Sequence, residues 1–139
     1  MLTIEHINCS DDKYSDKITN EFAKFALQHD LVNDYLTFTF IAEVDEQFAG
    51  IIRGYSSYKE AHISELIVLD EYRNKGVGKK LLETVENYCI ERNIQNLNCS
   101  TYGFQAPEFY KKYGFELEFM RVNMENQKLS KHFFVKYFR

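Results

Sequence analysis

Arg73, Gly76 and Gly78 stand together in the stretch "VLDEYRNKGVGKKLLETVENY". It follows the apolar run "ISELIVL" and opens into residues of helical period. A helix N-terminus presents unpaired backbone N–H groups and a partial positive charge. Glycine there removes the side chains that would hold an anion away. The chemistry such a turn invites is the binding of phosphate. Asn74, Lys75, Gly76, Val77, Gly78 and Lys79 would supply mainly backbone donors, while Arg73, Lys75, Lys79 and Lys80 add positive charge. The bland alternative is a helix-capping turn ringed by solvated lysines.

Known phosphate-binding glycine patterns discriminate among ligands. A nucleoside-triphosphatase loop needs G-x-x-x-x-G-K-[ST], but Arg73 stands at the first glycine position and Lys80 at the hydroxyl position. A dinucleotide fingerprint needs G-x-G-x-x-G after the first strand of a parallel unit, but Leu81 stands at the third glycine. The pattern present is R-x-x-G-x-G.

The elements that must position this turn follow from periodicity. Residues 2–7, "LTIEHI", are expected to form a short strand, and residues 10–29 one or two helices. "YLTFTFIAE" alternates, with Leu36, Phe38, Phe40 and Ala42 on one face. "VDEQFAG" turns it back into an antiparallel hairpin, and "KEAHISELIVL" is a third strand. After the glycine turn, Val77, Leu81, Leu82, Val85 and Cys89 fall on one helical face. "IQNLNCST" is a strand, and "APEFYKKYG" a short helix begun by Pro107 and ended by Gly114. "FELEFMRV" puts Phe115, Leu117 and Phe119 inward, and "KHFFVKYF" is a last strand. Strand–helix–strand near residues 61–101 implies one parallel pair inside an otherwise antiparallel sheet.

The chain has 139 residues, enough for one domain with a real core, and residues 1–139 are expected to form a single one. It is 45% apolar and 27% charged, as in an ordinary soluble globule. Seventeen basic against 21 acidic residues argue against general nucleic-acid binding. No apolar run reaches the roughly 20 residues of a membrane span, and the start lacks a signal-peptide pattern. Cys9, Cys89 and Cys99 are an odd number without metal-ligand spacing, so no metal is expected and a reducing cytoplasm is favoured.

With "LIVLDEYRNKGVGKKLL" and "FQAPEFYKKYGFE" both on the page, the sequence resembles the GNAT superfamily of acetyl-CoA-dependent N-acyltransferases. The first stretch looks like that family's pyrophosphate motif, and the second like its alanine, "FY", "GF" signature. The resemblance covers residues from 35 to 119 and also matches the order of elements. It implies a layered α/β fold: a mixed, mostly antiparallel sheet of about six to seven strands with a splayed parallel pair, flanked by about four helices. It implies acetyl-CoA as co-substrate and a primary amine, on a small molecule or a protein, as acceptor. The "FQAPEFY" variant resembles a bacterial subgroup whose substrates are mostly unassigned.

The resemblance also assigns roles. Pantetheine would lie in the gap between "HISELIVL" and "NLNCST", with backbone contacts at Leu66, Ile67 and Val68, and an N–H there would polarise the thioester carbonyl. Tyr110, the tyrosine of "FY", would protonate the leaving thiolate, a phenol having the right pKa order. As one of ten tyrosines it could equally be a core residue; Phe109, Tyr113 and Phe115 are read as core. For the base, Glu65 is the best carboxylate: alternation puts it with Ile63 and Ile67, partly buried with a raised pKa. A paired or solvated glutamate is the competing reading. His62, His132 and ordered water are further candidates.

One position departs from the family. Seven residues before the tyrosine many members carry an asparagine that helps hold the cofactor; here Gly103 stands there, and Gln105 is the nearest polar substitute. The resemblance puts the acceptor site on residues about 14–35 and 102–107, and the family allows a homodimer through the C-terminal strand, here "KHFFVKYFR". The rival is a non-catalytic acyl-CoA-binding or interaction module on the same fold.

Overall fold

The computed structural model describes residues 1–8 and 13–138. The chain divides into two compact units, residues 1–34 and 35–139. The first contains the helix α1, Ser15–Gln28. Residues 2–7 form no strand in it. Alternation there is only permissive, because a strand exists when a neighbour completes its ladder. Cys9 lies outside the described residues.

The second unit holds a six-stranded sheet: β1 (Leu36–Val44), β2 (Gln47–Ser57), β3 (Glu60–Val68), β4 (Asn96–Tyr102), β5 (Glu116–Arg121) and β6 (Lys131–Tyr137), in spatial order β1-β2-β3-β4-β6-β5. Two tight turns join β1 to β2 and β2 to β3. Asp45, Glu46, Tyr58 and Lys59 all take positive φ there, the geometry that matches the twist of a two-residue hairpin. α2 (Val77–Glu91) crosses from β3 to β4, and α3 (Pro107–Lys112) follows β4. With α1 these are the three α-helices among the described residues, beside two 3-10 turns at Asp70–Tyr72 and Gln127–Leu129. All strand pairs are antiparallel except β3 with β4.

α2 and α3 share one face of the sheet, here the near face. Leu81, Leu82, Val85 and Cys89 of α2 are buried against Ile52, Ala61, Ile63 and Leu97. Each fully buried aliphatic side chain stabilises by about 1.5–3 kcal/mol. Tyr88 of α2 holds the rings of Phe38 and Phe40 at 5.4 and 5.8 Å. From α3, Tyr110 packs on Phe115 and Phe134. Lys136 of β6 ties these layers together, donating at 2.9 Å to both Glu86 of α2 and the Tyr113 carbonyl.

Two expectations about the last strands change. Phe115 is buried, but Leu117 and Phe119 are exposed. The register slips between them, so Leu117 lies opposite Phe134 and Phe119 opposite Phe133, on different faces. β6 offers no free edge either, since β4 and β5 pair with it on its two sides; β5 is the edge strand at this end of the sheet.

Candidate active site

The parallel pair is short. Glu60, Ala61 and His62 pair with Asn96, Leu97 and Asn98, and no pairing continues beyond them. From Ile63 onward the strands part, leaving a cleft of about 1530 Å³. Its walls are β3 from Ile63 to Val68, the turn into α2, the end of β4, and α3. Larger than an ordinary ligand pocket of about 300–1,000 Å³, it suits an extended ligand.

The unpaired wall of β3 can take an added strand. Leu69 N donates to Ala49 O across the β2 side at 2.8 Å. Backbone groups alternate along a strand, so those of Leu66 and Val68 turn to the gap and those of Ile67 turn to β2. Of the three residues expected to contact pantetheine, two therefore present backbone groups to the cleft. Leu66, Ile67 and Val68 all line it.

At the head of the cleft, Gly76 takes φ +83°, and Asn74 also has positive φ. No side chain caps the α2 N-terminus, and the first turn keeps its donors free for a ligand. The two glycines differ in their work. A Cβ on Gly76 would meet nothing within 4 Å, so its glycine answers to the left-handed backbone alone. A Cβ on Gly78 would stand 3.2 Å from the Phe109 ring, so this glycine lets α3 approach α2. Arg73 turns back on the chain: its Nε donates to Val68 O at 3.0 Å and its guanidinium meets Asp70 at 3.3 Å. Tyr72, Arg73, Asn74, Gly76, Val77, Gly78 and Lys79 line the cleft; Lys75 is not among its walls and sits 5.9 Å from the centre of the Tyr72 ring.

Tyr110 lines the cleft while buried. Burial first, and then the neighbouring Cys99, raise its phenol above the ordinary range. Its hydroxyl and the Cys99 thiol hydrogen-bond to one another, and burial pushes that thiol up to about 12. Phe109 and Tyr113 pack on the core and also line the cleft; Phe115 is core alone.

Glu65 lines the cleft in an unexpected orientation. Arg53 lies opposite Glu65 and Gly54 opposite Ile63, so Ser64 is an extra residue in β3. The bulge reverses the alternation. Ile63, Leu66 and Val68 take the near face, and Glu65 joins His62 and Ile67 on the far face. The expected partial burial with Ile63 is thus corrected: the Glu65 side chain is 57% exposed and ion-paired to Arg53 at 3.2 Å. Glu65 and Ser100 on the far face, with Thr101 and His132 on the near face, all line the gap, so residues of both faces form its walls.

His132 is brought to the cleft by its pairing with Thr101 and stacks on Phe134. His62 is not among the cleft's walls; it is the last residue of β3 paired with β4, its Nδ1 2.8 Å from Asn98 Oδ1. Gly103 has a steric reason: a Cβ there would press to 2.9 Å from the Gln127 carbonyl, so an asparagine would require the backbone to shift. Gln105 lines the cleft, but its carbonyl oxygen accepts from Tyr102 N at 3.0 Å. Sequence reasoning missed Arg53 and Ser100. Ser100 is legible as the far-face neighbour of Cys99, whereas Arg53 emerges only from the bulge.

The profile of the acetyltransferase (GNAT) domain matches residues 9–132. An uncharacterized N-acetyltransferase of Methanocaldococcus jannaschii is 41% identical over 59 residues, 42% of this chain and 36% of that protein. The chain spans about half or less of the length of the first curated relatives it matches. An acetyltransferase from Bacillus cereus has the same fold at TM-score 0.77 and 25% identity, over 99% of this chain and 98% of that one. A PaiA N-acetyltransferase of Thermoplasma acidophilum, solved with coenzyme A, aligns at TM-score 0.63 and 24% identity over 91% of this chain and 74% of its own.

Proposed function

Because the chain belongs to the GNAT acetyltransferase family, we propose that it moves the acetyl group of acetyl-CoA directly to a primary amine. The observation that carries this is the splayed gap: a β3 wall without a partner strand, free helix N–H groups at its head, and lining residues from both faces of the sheet. These features fit a long ligand with amides along its stem and phosphates at one end. The first turn of α2 would hold the pyrophosphate, and the Leu66 and Val68 backbone the pantetheine. Bound there, acetyl-CoA supplies an activated carbonyl and a thiolate leaving group.

The chain's own groups do the rest. A β3 backbone N–H near Val68 stabilises the charge that develops on the carbonyl oxygen. Glu65 meets the acceptor's ammonium on the far face and takes its proton, directly or through water. Tyr110 stays protonated at working pH because burial and Cys99 raise it. A thiol is a weak hydrogen-bond acceptor, so the hydroxyl exchanges Cys99 for the leaving sulfur at little cost. That same raised phenol makes its contribution a hydrogen bond rather than a full early transfer. The acceptor is a small-molecule or protein amine, the chain acts in the cytoplasm, and its "FQAPEFY" stretch groups it with a bacterial branch of the family.

The test is thermal unfolding with acetyl-CoA, ATP and NAD, then free-thiol release with an amine panel. A ligand at about 100 times its Kd stabilises by roughly 2.7 kcal/mol, a Tm shift of about 3–6 °C at this size. A shift with acetyl-CoA alone is expected, followed by turnover that Tyr110→Phe lowers in kcat. Binding without turnover on any amine would favour a non-catalytic acyl-CoA module instead.

A further inference from the structure

Four polar side chains run across the far face at the rows where β3 and β4 are still paired. Asn96 Nδ2 donates to Glu60 Oε1 at 3.2 Å, Asn98 Nδ2 donates to Asn96 Oδ1 at 2.9 Å, and His62 Nδ1 lies 2.8 Å from Asn98 Oδ1. The direction of this chain is set at its acidic end. An ionised carboxylate only accepts. Asn96 must therefore turn its NH₂ to Glu60 and its carbonyl to Asn98. Asn98 must turn its NH₂ to Asn96 and its carbonyl to His62. A carbonyl oxygen only accepts, so the His62 hydrogen sits on Nδ1 and its lone pair on Nε2.

His62 is the last paired residue before the gap. The bulge at Ser64 puts Glu65 on its face, two paired rows further along. Around the ring on this face stand Tyr55 of β2 with its centre 5.4 Å away, the Arg53–Glu65 pair, Glu60 two rows back, and the neutral Asn98 and Ser100 of β4. An imidazole is ordinarily a stronger base than a carboxylate by about two pKa units.

We propose that His62 Nε2 is the final acceptor of the substrate amine's proton, with Glu60, Asn96 and Asn98 as positioning residues that keep Nε2 free. Glu65 holds the ammonium and passes one of its protons to solvent, leaving the free amine. As the nitrogen forms its bond to the acetyl carbon and the carbon–sulfur bond breaks, the second proton leaves nitrogen for Nε2 as imidazolium, and the thiolate takes the Tyr110 proton. The imidazolium then returns its proton to water, and water restores the Tyr110 phenol.

The proposal rests on the acyl-transfer reading, and the experiment separates the two. Long-range proton–nitrogen spectra of the full chain, with His62 assigned by signal loss in His62→Gln, read the tautomer without substrate. In the neutral ring the Nδ1–H form is expected; the Nε2–H form overturns the proposal. Glu60→Gln is the sharper variant, because an amide can donate or accept and lets the whole chain reverse. It is expected to shift His62 toward Nε2–H from three hydrogen bonds away; a tautomer indifferent to it overturns the relay. Turnover is then followed with acetyl-CoA and spermidine, kanamycin and a peptide bearing a free N-terminus. His62→Gln is expected to lower kcat/KM for the amine about 100-fold and remove its basic-group limb, with the acetyl-CoA Kd unchanged within about twofold. If Glu65→Gln removes the limb and His62→Gln leaves it, Glu65 alone is the base. If acetyl-CoA binds and no amine turns over in the unaltered chain, acyl transfer itself fails and the base with it, whatever the tautomer.

Discussion

Gly78→Ala separates two jobs that a glycine in this motif can do. A Cβ at position 78 would lie 3.2 and 3.4 Å from two Phe109 ring carbons and 3.6 Å from a Val68 methyl. Carbon pairs are most favourable at about 3.5–4.0 Å, so the ring must give by a few tenths of an ångström. It has little room, because Tyr110 and Tyr113 pack on it at 5.3 and 4.9 Å between ring centres. Overpacking of this kind costs about 1–3 kcal/mol. Replacing glycine in a helix recovers about 0.5–1 kcal/mol. The net expectation is a loss of about 1 kcal/mol in the unaltered chain. In a Phe109→Leu background the contact is gone, and the same change gains about 0.5 kcal/mol or more. The coupling of roughly 1.5–2 kcal/mol stands well outside the additivity of independent sites, about 0.5 kcal/mol. Urea midpoints at constant m-value across the four proteins measure it. Equal effects of Gly78→Ala in both backgrounds would refute the packing argument. Acetyl-CoA affinity of the double variant then shows whether the backbone at 78 must also admit a phosphate.

Three further outcomes are expected. Glu46→Gly relieves a side chain at φ +67° in the β1–β2 turn, and should stabilise by about 0.5–1 kcal/mol, seen as a rise of a few degrees in Tm. The Cys89 and Cys99 thiols are raised from 9.0 to about 11 and about 12, in both cases chiefly by burial. Their contribution is thus full below pH 9 and is lost as the pH climbs toward those values; denaturation midpoints should fall through this range, and both thiols should stay unreactive to a disulfide reagent in the native chain at neutral pH. Lys136→Met leaves Glu86 and the Tyr113 carbonyl without their 2.9 Å donor; with the two side chains 29% and 17% exposed, the loss should be about 2 kcal/mol by chemical denaturation.

Local patterns in the chain already specify much of the molecule. The alternation of Phe38, Phe40 and Ala42, the helical stripe Leu81, Leu82, Val85 and Cys89, and the Pro107 and Gly114 boundaries of α3 are each read over a few residues, because strand and helix periods are local properties. The R-x-x-G-x-G turn and its open helix end belong to the same class. Other features depend on what a partner strand does. Residues 2–7 alternate but form no strand. The extra residue Ser64 exists only as a mismatch between β2 and β3, and it alone sends Glu65 to Arg53 and His62's face. Gly78 answers to Phe109 and Gly103 to the Gln127 carbonyl, neighbours distant in sequence. The gap itself arises because β3 and β4 pair over three residues and then part. Period tells which residues share a face within one element. Register and separation are set between elements, by which long-range hydrogen bonds and side-chain contacts can be satisfied together, and that is decided only when the chain has folded.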